Sequence, residues 1–91
     1  MQEIKVIHQA SKADLGSKGV FNWSLWSHPE AKFPWSYEGE ESCYLLEGKV
    51  TVTPKNGKPV TIVKGDLVTL PKGLQCCWEI HEPVKTHYKF D

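Results

Sequence analysis

Two stretches of the chain carry side chains that could do chemistry, FPWSYEGEESCYLLEG at 33–48 and GDLVTLPKGLQCCW at 65–78. The first contains Tyr37 and Glu41, and the second contains Cys76. If Glu41 is buried without a cation, its pKa rises and the carboxyl can act as a general acid or base. The alternative is that Glu41 only accepts hydrogen bonds from Tyr37 and neighbouring backbone.

The same residues are a poor set of metal ligands. Glutamate and thiolate bind metals, whereas a neutral phenol is a weak ligand and an indole is none. If a divalent metal is bound, Glu41, Cys76 and His87 are the candidate ligands. His87 lies between Lys85 and Lys89 in VKTHYKF, which is equally consistent with a position at the surface or rim. We therefore predict no cofactor and keep a divalent metal as the alternative.

The three cysteines favour reduced thiols. They are odd in number, and the adjacent Cys76 and Cys77 fit neither a disulfide framework nor a zinc knuckle. Cys43 and Cys76 could meet as a redox pair or supply a nucleophile, but buried free cysteines usually behave as small hydrophobic side chains. The thiols and the lack of a signal-like apolar run predict a cytoplasmic protein without a membrane segment.

Strands must position these groups. Short alternating runs rich in valine, isoleucine, threonine and aromatic residues lie between turns, and no window keeps a helical period, so the chain is predicted to be all-β. Asn56-Gly57 predicts a tight hairpin turn, and SHPEAKFP at 27–34 predicts a surface loop that could act as a flap. Strands are expected near 4–8, 20–26, 33–37, 41–47, 49–54, 59–64, 67–70, 75–80 and 84–90.

Strand alternation assigns the side chains to faces. Glu41, Cys43 and Leu45 share one face, whereas Tyr44 and Leu46 point the other way. The apolar face that Tyr44 and Leu46 leave must be covered by the N-terminal strand or by a second chain, so a homodimer is plausible.

The turns between the strands resemble those of the cupin superfamily. Glu41 is followed by six residues and Gly48, and Gly65 by five residues and then Pro71, one residue and Gly73. The cupin motifs share this skeleton, so the resemblance implies a single cupin-type β-barrel, an RmlC-like jelly roll, over residues 1–91. Motif one lies at about 33–48 and motif two at about 65–80.

Of the four metal-ligand positions in cupins, the three histidine positions are occupied here by Trp35, Tyr37 and Cys76, and Glu41 keeps the fourth. With WSLW and EPVKTHY, these substitutions resemble the small single-domain cupins grouped with ureidoglycine aminohydrolase. The resemblance turns the Glu41 face into the barrel and implies a pocket. Its catalytic group would be Glu41, Tyr37 and Cys76, and its lining would include Trp35, Cys43, Trp78 and, if the last strand turns it inward, His87.

Charge limits the choice of partners. The formal net charge is zero and all 11 basic residues are lysines, which disfavours nucleic acid as a partner. We expect a small polar metabolite to be bound among the aromatic walls, where it could also be converted. One alternative is a non-enzymatic dimerising domain whose barrel is filled by its own side chains, and another is a metal-dependent aminohydrolase or dioxygenase.

Overall fold

A computed structural model describes residues 3–90 as an antiparallel β-structure with two short helical segments. Neither helical segment in this range is long and apolar enough to cross a membrane. The strands are β1 Lys5–Ile7, β2 Ser24–His28, β3 Ala31–Ser36, β4 Glu41–Pro54, β5 Val60–Val63, β6 Leu67–Leu70 and β7 Gln75–Phe90, and the helical segments are α1 Lys12–Lys18 and a 3₁₀ turn at Val20–Asn22.

The two long strands organise the sheet. Its order is β1-β6-β4-β7-β2, with β5 also paired to β4 and β3 also paired to β7. Along β7, one side pairs with β4, while the other pairs first with β3 and then with β2. The inner face carries the main core, which includes Leu45, Val50, Val52, Ile62, Val68 and Leu70. The predicted all-β fold is confirmed, and the predicted turn at Asn56 is present with φ of 65°.

Gly48 is a bend within a strand, contrary to the prediction that a strand ends there. The predicted strands 41–47 and 49–54 form the single strand β4, whose pairing with β7 shifts register around Glu47 and Lys49. Gly48 has φ of 104°, and a Cβ there would lie 2.5 Å from the carbonyl oxygen of Pro83. This left-handed conformation and close approach require glycine, and the bulged backbone lets the sheet curl without ending the strand.

The predicted flap at 27–34 is also wrong. Only Pro29 and Glu30 separate β2 from β3, and both strands pair with β7. Proline at position 34 suggested a loop, but β3 lies beside β7 alone among the described strands, and an edge strand tolerates a missing backbone donor.

The N-terminal segment contains a helix that the strand pattern did not predict, and residues 20–22 begin the predicted strand 20–26 as a 3₁₀ turn. The Ser11 side chain accepts a hydrogen bond from the Asp14 N–H, and Gly19 ends the helix with φ of 69°. Leu15 is its one buried residue, so no repeating apolar pattern could reveal the helix.

This helix covers part of the outer face of the sheet. Leu15, Val20 and Leu67 form a second buried cluster, and Tyr44 packs against it. The helix and the 3₁₀ turn therefore cover Tyr44, where an N-terminal strand or a second chain was expected. The fully buried Asp66 carboxylate tethers the segment by accepting a hydrogen bond from the Gln9 N–H at 3.1 Å.

Candidate functional site

An aromatic cavity of about 220 Å³ opens on the inner face of the sheet. Its rim includes the exposed rings of Trp35 and Phe90, which are 48% and 51% accessible. The volume is below the roughly 300 Å³ at the lower end of pockets for drug-sized ligands, so it suits a small molecule. The lining residues are Trp26, Phe33, Trp35, Tyr37, Glu41, Cys43, Trp78, Thr86, Tyr88 and Phe90.

Tyr37 is positioned by the turn of the second motif. Its backbone N–H donates to the Leu74 carbonyl at 2.9 Å, and its own carbonyl accepts from the Gly73 N–H at 2.7 Å. These two bonds join the segment before β4 to the turn before β7. The two motifs identified in the sequence therefore meet at the backbone of Tyr37, and the phenol lies at the cavity.

A chain of donors leads to the carboxyl of Glu41. The buried Trp78 indole N–H donates to the Tyr37 hydroxyl oxygen at 2.9 Å. The Tyr37 side chain in turn acts on Glu41 and lowers its pKa; because the phenol oxygen already accepts from the indole, its own proton is free to serve the carboxyl. The predicted association of Glu41 with Tyr37 is present, and it extends to Trp78.

Burial sets the protonation states of Glu41 and Tyr37. It raises the pKa of Glu41 to about 7, partly opposed by the hydrogen bond from Tyr37. Burial, reinforced by the charge of Glu41, holds the pKa of the Tyr37 hydroxyl well above its usual range. Near neutral pH the phenol is therefore a proton donor, and Glu41 exchanges between its acid and carboxylate forms.

The thiols are placed differently from one another. Cys43 lines the cavity, whereas Cys76 lies beside it in the main core and outside the lining. Burial raises the pKa of Cys76 to about 11 and that of Cys43 well above its usual range. All three cysteines are free. Protonated thiols are weak nucleophiles, so the two cysteines act as small apolar side chains in this site.

His87 does not line the cavity, and that prediction is corrected. It is buried on the other face of β7, where its Nδ1 lies 3.1 Å from the Trp23 carbonyl and its ring contacts Phe21. The period of two from Cys76 along β7 assigns even-numbered residues to the cavity face, which excludes His87.

The same period could have identified three lining residues that the prediction missed, Thr86, Tyr88 and Phe90. The prediction misses them because it divides β7 into two strands, 75–80 and 84–90. Phe33 shares the face of Trp35 on β3 but was assigned to the flap. Trp26 also faces the cavity, and only the pairing of β2 with β7 places it there.

The residues at the cavity do not fit the metal that histidine-bearing cupins hold. Trp35 has no lone pair to offer, the Tyr37 oxygen already accepts the indole N–H, and the Cys76 thiol stays protonated. His87, the third candidate ligand, faces away. Within residues 3–90, no group of three or more histidine, cysteine, aspartate or glutamate side chains is arranged to hold a metal ion.

A curled antiparallel sheet around an aromatic cavity, with the two motifs meeting at Tyr37, defines a cupin barrel. The chain belongs to the family of the EutQ-like cupin domain, whose model matches residues 15–88. No curated protein matches the chain significantly.

Solved structures agree with this family. A DUF861 family protein from Thermotoga maritima is 44% identical, with a TM-score of 0.94 over 98% of this chain and 100% of that one. The Clostridium difficile EutQ protein is 16% identical, with a TM-score of 0.67 over 98% of this chain and 68% of that one. A putative ethanolamine utilization protein from Salmonella typhimurium is 18% identical, with a TM-score of 0.65 over 99% of this chain and 94% of that one. The last two share the fold.

Proposed function

We propose that this cupin binds a small metabolite in its aromatic cavity and that Glu41 transfers a proton to or from it. One observation carries the proposal: a half-buried carboxyl with a pKa of about 7 lies in a cavity whose rim is open to solvent. A group whose pKa is near the working pH is suited to general acid–base chemistry. Tyr37 would orient the metabolite, and Trp35 and Trp78 would supply apolar wall.

Cys76 has a smaller role in the proposal than the sequence suggested. It is buried in the main core and lies outside the cavity lining, so the proposal assigns it no contact with the metabolite. The kinship with ureidoglycine aminohydrolase stands as part of the proposal, and it favours ureides and related nitrogen compounds as test ligands.

A thermal-shift screen of ureides, amino-acid derivatives and small organic acids tests the proposal, because a ligand that binds the native state raises the melting temperature. Trp35→Ala at the rim should weaken each hit. Phe21→Ala is the matched control, since Phe21 is similarly exposed at 55% and lies outside the lining. A screen without hits, or hits that Trp35→Ala leaves unchanged, would overturn binding in the cavity.

The catalytic part of the proposal needs a separate measurement. A hit should be followed by NMR for turnover in the wild type and in Glu41→Gln, with Glu40→Gln as the control for loss of an exposed negative charge. Turnover or binding that survives Glu41→Gln unaltered would remove Glu41 from the mechanism.

The proposed chemistry is independent of metal. Elemental analysis of protein purified without chelators should find no stoichiometric metal. A stoichiometric divalent ion would instead favour the metal-dependent aminohydrolase or dioxygenase.

A dimerising domain is the second candidate function, and an exposed apolar patch favours it. Leu25, 57% accessible, lies on β2 at the end of the sheet order, and the exposed ring of Phe21 contacts the neighbouring His87. Such a patch beside unpaired strand edges suits a homodimer of a cytoplasmic protein. Light scattering tests this: a monomer at all concentrations would exclude a stable homodimer, and a dimer should dissociate in Leu25→Lys.

A further inference from the structure

The cavity has an unbalanced charge pattern. Seven of its ten lining residues are aromatic, one is the carboxyl of Glu41, and none is a lysine or histidine. The chain has 11 lysines, yet those that the structure describes lie outside the lining. A carboxyl is normally buried with a cation or several donors. Within residues 3–90, burial raises the pKa of Glu41, and the interaction that lowers it is the one with Tyr37.

The aromatic walls are held in place by contact with one another. Trp78 is central, with Phe33 stacked on it at 6.4 Å between ring centroids and Trp26 edge-on at 6.2 Å. Trp35 and Tyr37 meet edge-on at 6.4 Å near the rim. Ring faces carry negative potential, and a cation within about 6 Å of a ring centroid is attracted to it. Because the rings already pack together, they need little reordering to surround a ligand.

We propose that the ligand of this cavity is a small organic ammonium ion, with its charge beside Glu41 and its alkyl groups against the rings. This inference rests on the proposed function and names the ligand class. An anion would meet a carboxylate and ring faces of the same sign, and a neutral molecule would leave the carboxylate without a counter-ion. Only a cation is attracted both to the rings and to the ionised carboxylate.

An ammonium ion should bind more tightly as the pH rises, because Glu41 then becomes ionised. The titratable groups coupled to Glu41 are Tyr37, Cys43 and Cys76, and burial keeps their pKa values at about 11 or higher, so they stay neutral up to pH 8. Tyr88 also lines the cavity. His28 contacts the rings of Trp26 and Phe33 and lies outside the lining. The test therefore needs a variant that removes Glu41 alone.

Choline and its uncharged isostere 3,3-dimethylbutanol are suitable probes, with 3,3-dimethylbutyrate as the anion. By calorimetric titration at pH 8 and low salt, choline should bind at least about tenfold more tightly than the alcohol. With the Glu41 pKa at about 7, the ionised fraction falls from about nine-tenths at pH 8 to about 3% at pH 5.5, so choline binding should weaken by up to ~30-fold at the lower pH.

Variants separate the carboxylate from the rings. Glu41→Gln should remove the pH dependence and most of the preference for choline over the alcohol, whereas Glu40→Gln, which loses an exposed negative charge next to it, should keep both. Trp35→Leu at the exposed rim keeps apolar area without a π face. It should weaken choline binding about two- to fivefold and leave the affinity for the alcohol unchanged.

Each outcome decides the inference. Equal or tighter binding of the alcohol or the butyrate would overturn the ammonium class and leave small-molecule binding standing. The ammonium class would also be overturned if none of the three probes binds while the metabolite screen finds a neutral or anionic ligand. Failure of every compound in both experiments would overturn the proposed function itself. Choline binding with the same affinity in Glu41→Gln would exclude the carboxylate as the counter-ion.

Discussion

The protonation of Glu41 should make the stability of this protein depend on pH in a defined window. In the unfolded chain Glu41 ionises near its ordinary pKa of 4.5, whereas the folded chain holds the proton to a pKa of about 7. A raised native pKa means that the native state binds the proton more tightly. This contribution to stability is complete below about pH 4.5 and is lost as the pH rises through 7.

The magnitude follows from the shift. At about 1.4 kcal/mol per pKa unit, the change from 4.5 to about 7 sets an upper bound of about 3 kcal/mol. Glu41 is half-buried, so solvent screening reduces the expected effect to about 1–2 kcal/mol. Glu41→Gln keeps the shape of the side chain and an acceptor for Tyr37 but has no charge to desolvate. Between pH 5 and pH 8, we expect the free energy of unfolding of Glu41→Gln to rise by about 1–2 kcal/mol relative to that of the wild type.

Urea unfolding followed by tryptophan fluorescence measures this difference, and the four tryptophans provide the signal. The free energy of unfolding of wild type and Glu41→Gln should be compared at pH 5, 6, 7 and 8. Subtracting the two curves cancels the titration of the histidines and of other shared groups. Glu40→Gln should show no such pH-dependent gain. A constant difference between wild type and Glu41→Gln across this range would refute the raised pKa and the acid–base role derived from it.

Three further predictions test the scaffold by the same unfolding assay. Gly48→Ala should lower the free energy of unfolding by about 3 kcal/mol or more, because the bulge has no room for a Cβ. The control Gly16→Ala, at an open helical position, should raise it by ~0.5–1 kcal/mol. Equal effects of the two substitutions would contradict the role of the bulge. Asp66→Ala should cost about 2–3 kcal/mol by removing the buried acceptor of the Gln9 and Val63 N–H groups, and a neutral result would show that the tether is dispensable. Tyr37→Phe should cost about 1–3 kcal/mol and raise the pKa of Glu41 further, as read by carboxyl NMR; a lowered pKa would contradict the donor chain.

The cavity illustrates what local patterns could predict. The spacing from Glu41 to Gly48 and from Gly65 to Gly73 indicated the cupin barrel, and the alternation along the strands placed Cys43 and Trp78 on one face. Both inferences depend on rules that act within a few residues, namely the period of two and the conformations that glycine and proline permit.

The predictions that failed concern residues whose positions depend on contacts between distant parts of the chain. The bulge at Gly48 depends on contact with Pro83, and the placement of Trp26 depends on the pairing of β2 with β7. The assignment of His87 failed because treating 75–80 and 84–90 as separate strands hid the continuous alternation of β7.

The sequence by itself determined the all-β class, the cupin motifs and the loss of the histidine ligands, because residue type and short spacing suffice for these. Only the tertiary structure decided that the Trp78 indole and the Tyr37 phenol form a donor chain to Glu41. It also decided that the cavity around this carboxyl has aromatic walls without a lysine. Burial and partnership are properties of residues far apart in the chain, and the pKa of a carboxyl depends on both.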